Sequence, residues 1–255
     1  MRKIILFVMA GFILNSLSAL AFDGADQKIF EQANQQYRQG HFDQAAKSYQ
    51  QLTEKYPKQP AFYYDLGNSL FRKGSGALGQ AILAYERAQW LAPRDGDIRS
   101  NLNYARSLLE YRVEDKRNWY LKASEEVLAR LTENEVRLGA LASGFAFLAA
   151  WIAALTFRRG EAWRWKRKTL LIFFAFFAAL ALAKHFETRM MSDAVVIAKD
   201  AEVRYGPSDT DQVAFRLGEG LHVHIIDTRE GWSRILLVNG ESGWIDDSQI
   251  GKVHP

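Results

Sequence analysis

The side chains that could support metal or acid–base chemistry are sparse in this chain. Of its five histidines, only His222 and His224 are close together, at a spacing that puts both on one face of a strand. Further ligands for a zinc ion are not obvious from the sequence, so we expect exposed strand residues and no metal site. The chain has no cysteine, which excludes disulfides, thiol catalysis and thiolate metal ligands.

Motifs for enzymatic chemistry are also missing from the sequence. No glycine-rich loop ends in Lys-Ser or Lys-Thr, no His-Glu-x-x-His occurs, and no serine lies in a nucleophile-elbow pattern. We therefore expect a binding and assembly protein, with no catalytic residues and no cofactor.

The positive charge of the chain is local. The 255 residues carry a formal charge of +4, but Arg2, Lys3 and the basic segment 158–168 together hold more than that, so the remainder is net negative. A nucleic-acid-binding protein would spread its basic residues over a folded face, so we expect no nucleic-acid partner. Apolar residues make up 48% of the chain, which is close to the globular norm.

Three apolar blocks divide the chain. The first follows two basic residues and precedes the small-residue site Ala19-Leu20-Ala21, which is typical of a secretory signal peptide over 1–21; an uncleaved anchor helix is the alternative. The segments 138–157 and 169–186 are predicted to be transmembrane helices, and a buried core helix is the alternative for 169–186.

The basic segment between the second and third blocks predicts an orientation. Lysine and arginine favour the cytoplasmic side of a membrane, so 158–168 is expected to be a cytoplasmic loop. The chain would then form a hairpin in the bacterial inner membrane, with both folded domains in the periplasm.

Two units in the N-terminal region align with each other, at a spacing of 34 before a glycine turn and 36 after it. The matched pairs are Phe30 and Tyr64, Asn34 and Asn68, Tyr37 and Phe71, Arg38 and Arg72, Gly40 and Gly74, Ala45 and Ala81, Tyr49 and Tyr85, and Pro57 and Pro93. Each unit predicts a helix, a glycine turn, a second helix and a proline stop. The pattern resembles the tetratricopeptide repeat, which implies an α-helical solenoid over 26–113 with repeats at 26–59 and 60–95.

Two repeats are few for a continuous core, since about three are usually needed. A capping helix is predicted over 97–113, with Asp97 as its N-cap. An amphipathic linker is predicted over 114–137. We expect the repeats to lean on a partner, on a second copy of the chain, or on the linker.

Repeat domains of this family bind extended peptides along the face of their first helices. The resemblance places eight residues on that face: Phe30, Asn34, Tyr37, Arg38, Tyr64, Asn68, Phe71 and Arg72. Asparagine can bond a peptide backbone, arginine a carboxylate, and aromatic rings supply contact area. The alternative is that asparagine is simply common at this position of the repeat. The carboxylate-clamp subgroup has lysines where Phe30 and Tyr64 stand, so capture of a peptide C-terminus is not expected.

The C-terminal region, 194–253, contains short β-prone runs between turn signals. Asn239-Gly240 predicts a hairpin, and the whole pattern favours a small β barrel. The residues that resemble a bacterial SH3-type domain are Val203, Arg204, Tyr205, Gly206, Pro207, Leu217, Gly220, Gly231, Trp232, Gly243 and Trp244. The resemblance implies a groove lined by Arg204, Trp232 and Trp244, and burial of both tryptophans in the core is the alternative. Glu202 departs from the family, which often has asparagine there.

The order of segments is similar to that of BatE-type proteins of bacterial aerotolerance operons, and the stretch 93–106 adds to the resemblance. It implies an α + β multidomain membrane protein that scaffolds an envelope complex. The implied partners are von Willebrand A-domain Bat proteins and, indirectly, a MoxR-type ATPase. The alternative is a peptidoglycan-binding or wall-remodelling accessory factor anchored through the SH3-like domain.

Overall fold

The computed structural model describes residues 24–74, 76–111, 113, 118–119, 122, 132–156, 168–169, 171–182 and 192–254. The predicted signal peptide, most of the linker and all but the last residue of the basic loop lie outside these residues. Within them, two folded regions stand out, which we call the helical domain (24–107) and the β domain (192–254).

The helical domain contains five consecutive helices separated by short turns. They are α1 (Gly24–Arg38), α2 (Phe42–Lys55), α3 (Pro60–Lys73), α4 (Leu78–Leu91) and α5 (Gly96–Ser107). Gly40 and Gly74 follow α1 and α3 with φ values of +81° and +88°, a left-handed conformation that favours glycine. Pro57 and Pro93 lie just beyond α2 and α4. The predicted succession of helix, glycine turn, helix and proline stop is therefore confirmed.

Small residues allow neighbouring helices to pack closely. A Cβ atom added to Gly67 of α3 would lie 2.7 Å from the Tyr85 ring of α4. Ala45 and Ala81 are completely buried at the equivalent positions of the two repeats. Tyr49 and Tyr85 are buried beside them, so each repeat pairs small residues with one large ring.

The capping helix α5 begins earlier than predicted. Asp95 is its N-cap, and the Asp95 Oδ1 atom accepts hydrogen bonds from the backbone N–H groups of Asp97 (2.9 Å) and Ile98 (3.2 Å). The prediction of Asp97 as the N-cap is therefore wrong, because the preceding carboxylate already satisfies the free donors of the first turn. The helix ends at Ser107, short of the predicted residue 113.

The β domain is one seven-stranded antiparallel sheet in the order β3-β2-β6-β5-β4-β1-β7. Its strands are β1 (Ser192–Val196), β2 (Asp200–Arg204), β3 (Val213–Gly218), β4 (His222–Arg229), β5 (Trp232–Leu236), β6 (Ser242–Asp246) and β7 (Ile250–Lys252). The turn between β5 and β6 contains Asn239 and Gly240, so the predicted hairpin is confirmed. Alternate residues such as Val203, Ile235 and Ile245 point into a fully buried core.

The prediction of two transmembrane helices is wrong for the part of the chain that the structure describes. Helix α6 spans Glu133–Thr156 and carries Glu135 and Arg137 near its start, and residues 171–182 are also helical. Among the described residues, no helix combines the length and the apolar character that crossing a membrane requires. The fold class is therefore corrected to a helical repeat domain joined to a strand-rich β domain.

The two domains pack against each other through α4. Ile82 and Leu83 of α4 share a buried apolar cluster with Val195 of β1 and Val253 after β7. The backbones also approach closely, because a Cβ atom on Gly79 would lie 2.8 Å from the carbonyl oxygen of Val196. The two repeats thus lean on the β domain, a support that the sequence did not suggest.

Candidate functional site

A concave groove lies between the first helices of the repeats and the capping helix. It has a volume of about 230 Å³ and is lined by Tyr37, Asn68, Phe71, Arg72, Tyr85, Asn101 and Tyr104. Four of these residues were predicted for the peptide-binding face. Tyr85 from α4 and Asn101 and Tyr104 from α5 were missed, because they reach the groove only when the helices fold back on α3. A larger hollow, about 330 Å³, is lined by residues 55–59 of the α2–α3 turn and includes none of the predicted residues.

The amide of Asn68, which lines the groove, is held in one orientation. Its Oδ1 atom accepts hydrogen bonds from the Tyr85 hydroxyl (2.8 Å) and from Asn101 Nδ2 (3.0 Å). Asn101 Nδ2 also donates to the Tyr64 hydroxyl at 3.0 Å. Since the oxygen is engaged, the Asn68 NH₂ group is the part of the amide that can donate to a ligand carbonyl.

The equivalent asparagine of the first repeat has a similar partner but a different position. Asn34 Oδ1 accepts a hydrogen bond from the Tyr49 hydroxyl at 2.9 Å, yet Asn34 is not among the residues that line the groove. Phe30 packs partly into the core, with its ring centroid 5.7 Å from that of Phe62. In each repeat, the asparagine oxygen at this position therefore binds a tyrosine of the second helix, and the asparagine NH₂ group can still donate a hydrogen bond.

Aromatic and cationic groups lie at the edge of the groove. The Phe71 and Tyr104 rings are 5.7 Å apart, and 60% of Tyr104 is exposed. The Arg72 guanidinium lies 5.1 Å from the centre of the Phe42 ring, in cation–π geometry. Arg72 and Arg38 are both exposed, so a carboxylate could reach either.

A half-buried acid on α3 was missed by the sequence reasoning. Burial raises the pKa of Asp65 to about 6 from its ordinary 3.8. Burial also raises the pKa of Tyr49, and the negative charge of Asp65 adds to that shift, so the two groups are close. Asp65 is 34 residues after Glu31, so both repeats have an acidic residue at this position. That recurrence is the sequence signal that could have identified Asp65.

The residues predicted for the SH3-like groove lie on three neighbouring strands, and both tryptophans expose little surface. Trp244 is the register partner of Arg204 on β2, and Trp232 lies on the neighbouring strand β5. Trp232 and Trp244 are only 9% and 7% exposed. The Arg204 guanidinium donates to Glu202 Oε2 and to the backbone oxygen of Asp211, both at 2.6 Å. The groove stays a prediction, and these tryptophans contribute mainly to packing.

The histidine pair expected to be exposed is instead half-buried beside α4. His222 Nδ1 lies 3.0 Å from Glu86 Oε2, and Arg106 Nη2 donates to Glu86 Oε1 at 2.8 Å. Burial alone would raise the pKa of Glu86, but the positive charges of His222 and Arg106 outweigh it and the net shift is downward. Burial likewise disfavours the His222 cation, yet Glu86 and Asp193 raise the pKa of His222 to about 10.

Asp193 completes this cluster from the neighbouring strand. Its Oδ1 atom lies 2.7 Å from His224 Nδ1, and one potential ligand atom each from Asp193, His222 and His224 fall within 4.8 Å of one another. Sequence reasoning found the two histidines but not Asp193, because strand pairing brings it there.

Comparison with known families matches two separate parts of the chain. Residues 30–98 match the family described as a tetratricopeptide repeat, and residues 198–252 match the family described as a bacterial SH3 domain. No curated protein matches the chain, so no relative supports the narrower resemblance to BatE-type proteins. The chain therefore contains one region similar to tetratricopeptide repeats and one region similar to bacterial SH3 domains.

Proposed function

We propose that this protein is a non-enzymatic scaffold whose helical groove binds an extended peptide segment of a protein partner. Tetratricopeptide repeats are protein-interaction modules, and residues 30–98 match them. The observation that carries the proposal is the oriented amide of Asn68, whose oxygen is already bonded to Tyr85 and Asn101.

The groove suits a peptide that has a main-chain carbonyl, an apolar side chain and an acidic side chain. The carbonyl would accept from the Asn68 NH₂ group. The apolar side chain would pack on Phe71 and Tyr104, and the carboxylate would bind the exposed Arg72 guanidinium. Because the tyrosine and the second asparagine fix Asn68 before binding, the ligand would not have to order that amide.

The partner segment can be found by site-specific crosslinking in the full chain. A photo-crosslinking amino acid at Tyr104 should give adducts that map to one short segment. The same amino acid at Lys47, which is exposed but outside the groove, should not. That segment is then synthesised, and its affinity for the full chain is measured by fluorescence anisotropy.

An isosteric substitution tests the carbonyl bond directly. Asn68→Asp keeps the oxygen that accepts from Tyr85 and Asn101 but removes the NH₂ donors, so affinity should fall about tenfold or more. Asn34→Asp makes the same change outside the groove and should have a much smaller effect. Equal affinity for wild type and Asn68→Asp, with helix content unchanged, would refute the binding mode.

A wall ligand for the bacterial SH3 domain is the second candidate function. Domains of this class bind cell-wall material in some proteins, and residues 198–252 match the class. The buried tryptophans leave Tyr205, which is 72% exposed, as the aromatic side chain best placed to contact a glycan or stem peptide. Sedimentation of the full chain with purified peptidoglycan, lost on Tyr205→Ala, would favour this function over the scaffold alone.

We further infer that both domains act outside the cytoplasm, in a Bat-type envelope assembly. The signal-like pattern over 1–21 and the resemblance of 93–106 support this inference. Alkaline phosphatase fused after residue 255 should then be active, and von Willebrand A-domain Bat proteins should copurify, with a MoxR-type ATPase present only through them. An inactive fusion would contradict the location outside the cytoplasm. If neither the Bat proteins nor the ATPase copurified, the proposed assembly would be contradicted.

A further inference from the structure

We propose that Asp193, His222 and His224 form a zinc-binding site, with His254 as the fourth ligand, where the β domain meets α4. This site is independent of the peptide groove. It uses charged and imidazole groups that the proposed scaffold function leaves without a role.

Strand pairing brings the four residues together on one side of the sheet. Asp193 on β1 is the register partner of His224 on β4, and His222 is the next residue on the same face of β4. On the other side of β1 lies β7, and His254 follows it two residues beyond Lys252. The Val253 N–H group donates to the Asp193 backbone oxygen at 2.8 Å, which anchors the chain next to His254.

The distances around Asp193 suit a tetrahedral ion. Asp193 Oδ1 lies 3.4 Å from His222 Nε2 and 2.7 Å from His224 Nδ1, and Asp193 Oδ2 lies 3.7 Å from His254 Nε2. Ligand atoms about 2.0–2.1 Å from a tetrahedral zinc ion are about 3.3 Å from one another. The ligand atoms of Asp193, His222 and His224 lie within 4.8 Å of one another, so these three residues can close around an ion. His254 faces the other carboxylate oxygen and has to move inward to become the fourth ligand.

His222 also has the outer partner that zinc-ligating histidines usually have. Its Nδ1 atom pairs with Glu86 Oε2 at 3.0 Å, which directs Nε2 towards Asp193. Glu86 is in turn held by Arg106 at 2.8 Å, and only 4% of the Glu86 side chain is exposed. A buried carboxylate behind a histidine fixes the imidazole tautomer and raises its basicity towards a metal.

His254 has an unused nitrogen in the same place. Its Nδ1 atom is buried and has no hydrogen-bond partner among the described residues. Its ring is packed edge-on against Trp90 at 4.8 Å, which limits its rotation. Nε2, the other ring nitrogen, lies 3.7 Å from Asp193 Oδ2 and is the atom that would bind zinc.

The types of the four ligands indicate which metal ion the site would bind. Three imidazoles and one carboxylate match the ligands of zinc, whereas magnesium and calcium prefer all-oxygen sites. Four protein ligands would leave no open position, so the expected role is structural. Because Glu86 belongs to α4 and the ligands to the β domain, bound zinc would strengthen the contact between the domains.

Metal titration of the full chain, purified without a histidine tag and stripped with EDTA, tests the proposal. Cobalt(II) should give the intense visible absorption of a tetrahedral complex, and zinc should displace it at a 1:1 ratio to the protein. Zinc should also raise the melting temperature, because it binds the folded state only.

Three variants separate a built site from casual binding by histidine. Asp193→Asn should weaken zinc binding at least a hundredfold, and Glu86→Gln, which does not touch the ion, by about 10–100-fold. His41→Asn changes an exposed histidine of the helical domain and should bind zinc like wild type. Circular dichroism in EDTA checks that each variant is folded. Absence of tetrahedral cobalt absorption in the wild type, or equal zinc affinity in folded Asp193→Asn, would overturn the proposal and leave the cluster as an ion-pair network.

Discussion

Replacing Asp65 by asparagine is expected to stabilise the helical domain at neutral pH. Asp65 is half-buried on α3, and within the described residues no side chain is paired with its carboxylate. Burial therefore acts unopposed and raises the pKa of Asp65 from 3.8 to about 6. Asparagine has nearly the same shape and no charge, so it removes the cost of burying the ionised group.

The pH dependence follows from the direction of the shift. Well below the unfolded value of 3.8, the carboxyl is protonated in both states and costs nothing. As the pH rises towards 6, the unfolded chain ionises first, so the folded state loses stability, and above pH 6 the cost is complete. A shift of about two pKa units corresponds to about 3 kcal/mol, and partial exposure of the side chain reduces this to about 2 kcal/mol.

Urea unfolding of wild type and Asp65→Asn, followed by circular dichroism from about pH 3 to pH 8, measures this difference. The gain in the free energy of unfolding should be close to zero at the lowest pH and about 2 kcal/mol at neutral pH. Asp43→Asn is the control, because Asp43 is exposed and its Oδ1 pairs with Lys73 Nζ at 2.6 Å. Loss of that surface pair should cost less than about 1 kcal/mol. A gain for Asp65→Asn that is the same at every pH would refute the reasoning.

Three further substitutions and one control variant test the packing. Gly67→Val would push a side chain into the Tyr85 ring and should lower the free energy of unfolding in urea by about 3 kcal/mol; a change below about 1 kcal/mol would contradict the close helix crossing. Gly79→Val would meet the backbone of the β domain, so hydrogen exchange should rise along the outer face of α4, and unchanged protection would contradict the docking. Trp232→Ala should cost about 3–5 kcal/mol in thermal unfolding, whereas Tyr205→Ala should stay within about 0.5 kcal/mol; similar losses would contradict their different burial.

Local rules explain which parts of the fold could be predicted. The turns at Gly40 and Gly74 need a positive φ, and the prolines after α2 and α4 cannot continue a helix, so the repeat can be recognised from residue types alone. The hairpin at Asn239-Gly240 was predictable for the same reason. The N-cap of α5 was missed because Asp95 and Asp97 are equally good capping residues, and only the backbone geometry selects Asp95.

Features that depend on long-range pairing could not be predicted. Asn101 reaches Asn68 only because α5 folds back across α3, and Asp193 reaches the two histidines only through the register of β1 with β4. For the described residues the membrane prediction was wrong, and for a different reason. Hydropathy reports how apolar a segment is, whereas a span also needs one apolar helix of sufficient length, which the described residues do not contain.

Helix α4 explains how only two repeats can be stable in this fold. Its buried residues occur on every side: Gly79, Ala81, Ile82, Leu83, Ala84, Tyr85, Glu86 and Ala88. The second helix of a terminal repeat would normally leave one face to solvent or to a capping element. Here Tyr85 faces α3 and the groove, whereas Ile82 and Leu83 face the β domain. A helix buried all round needs no amphipathic pattern, so the β domain and the capping helix α5 together cover the end of the two-repeat solenoid.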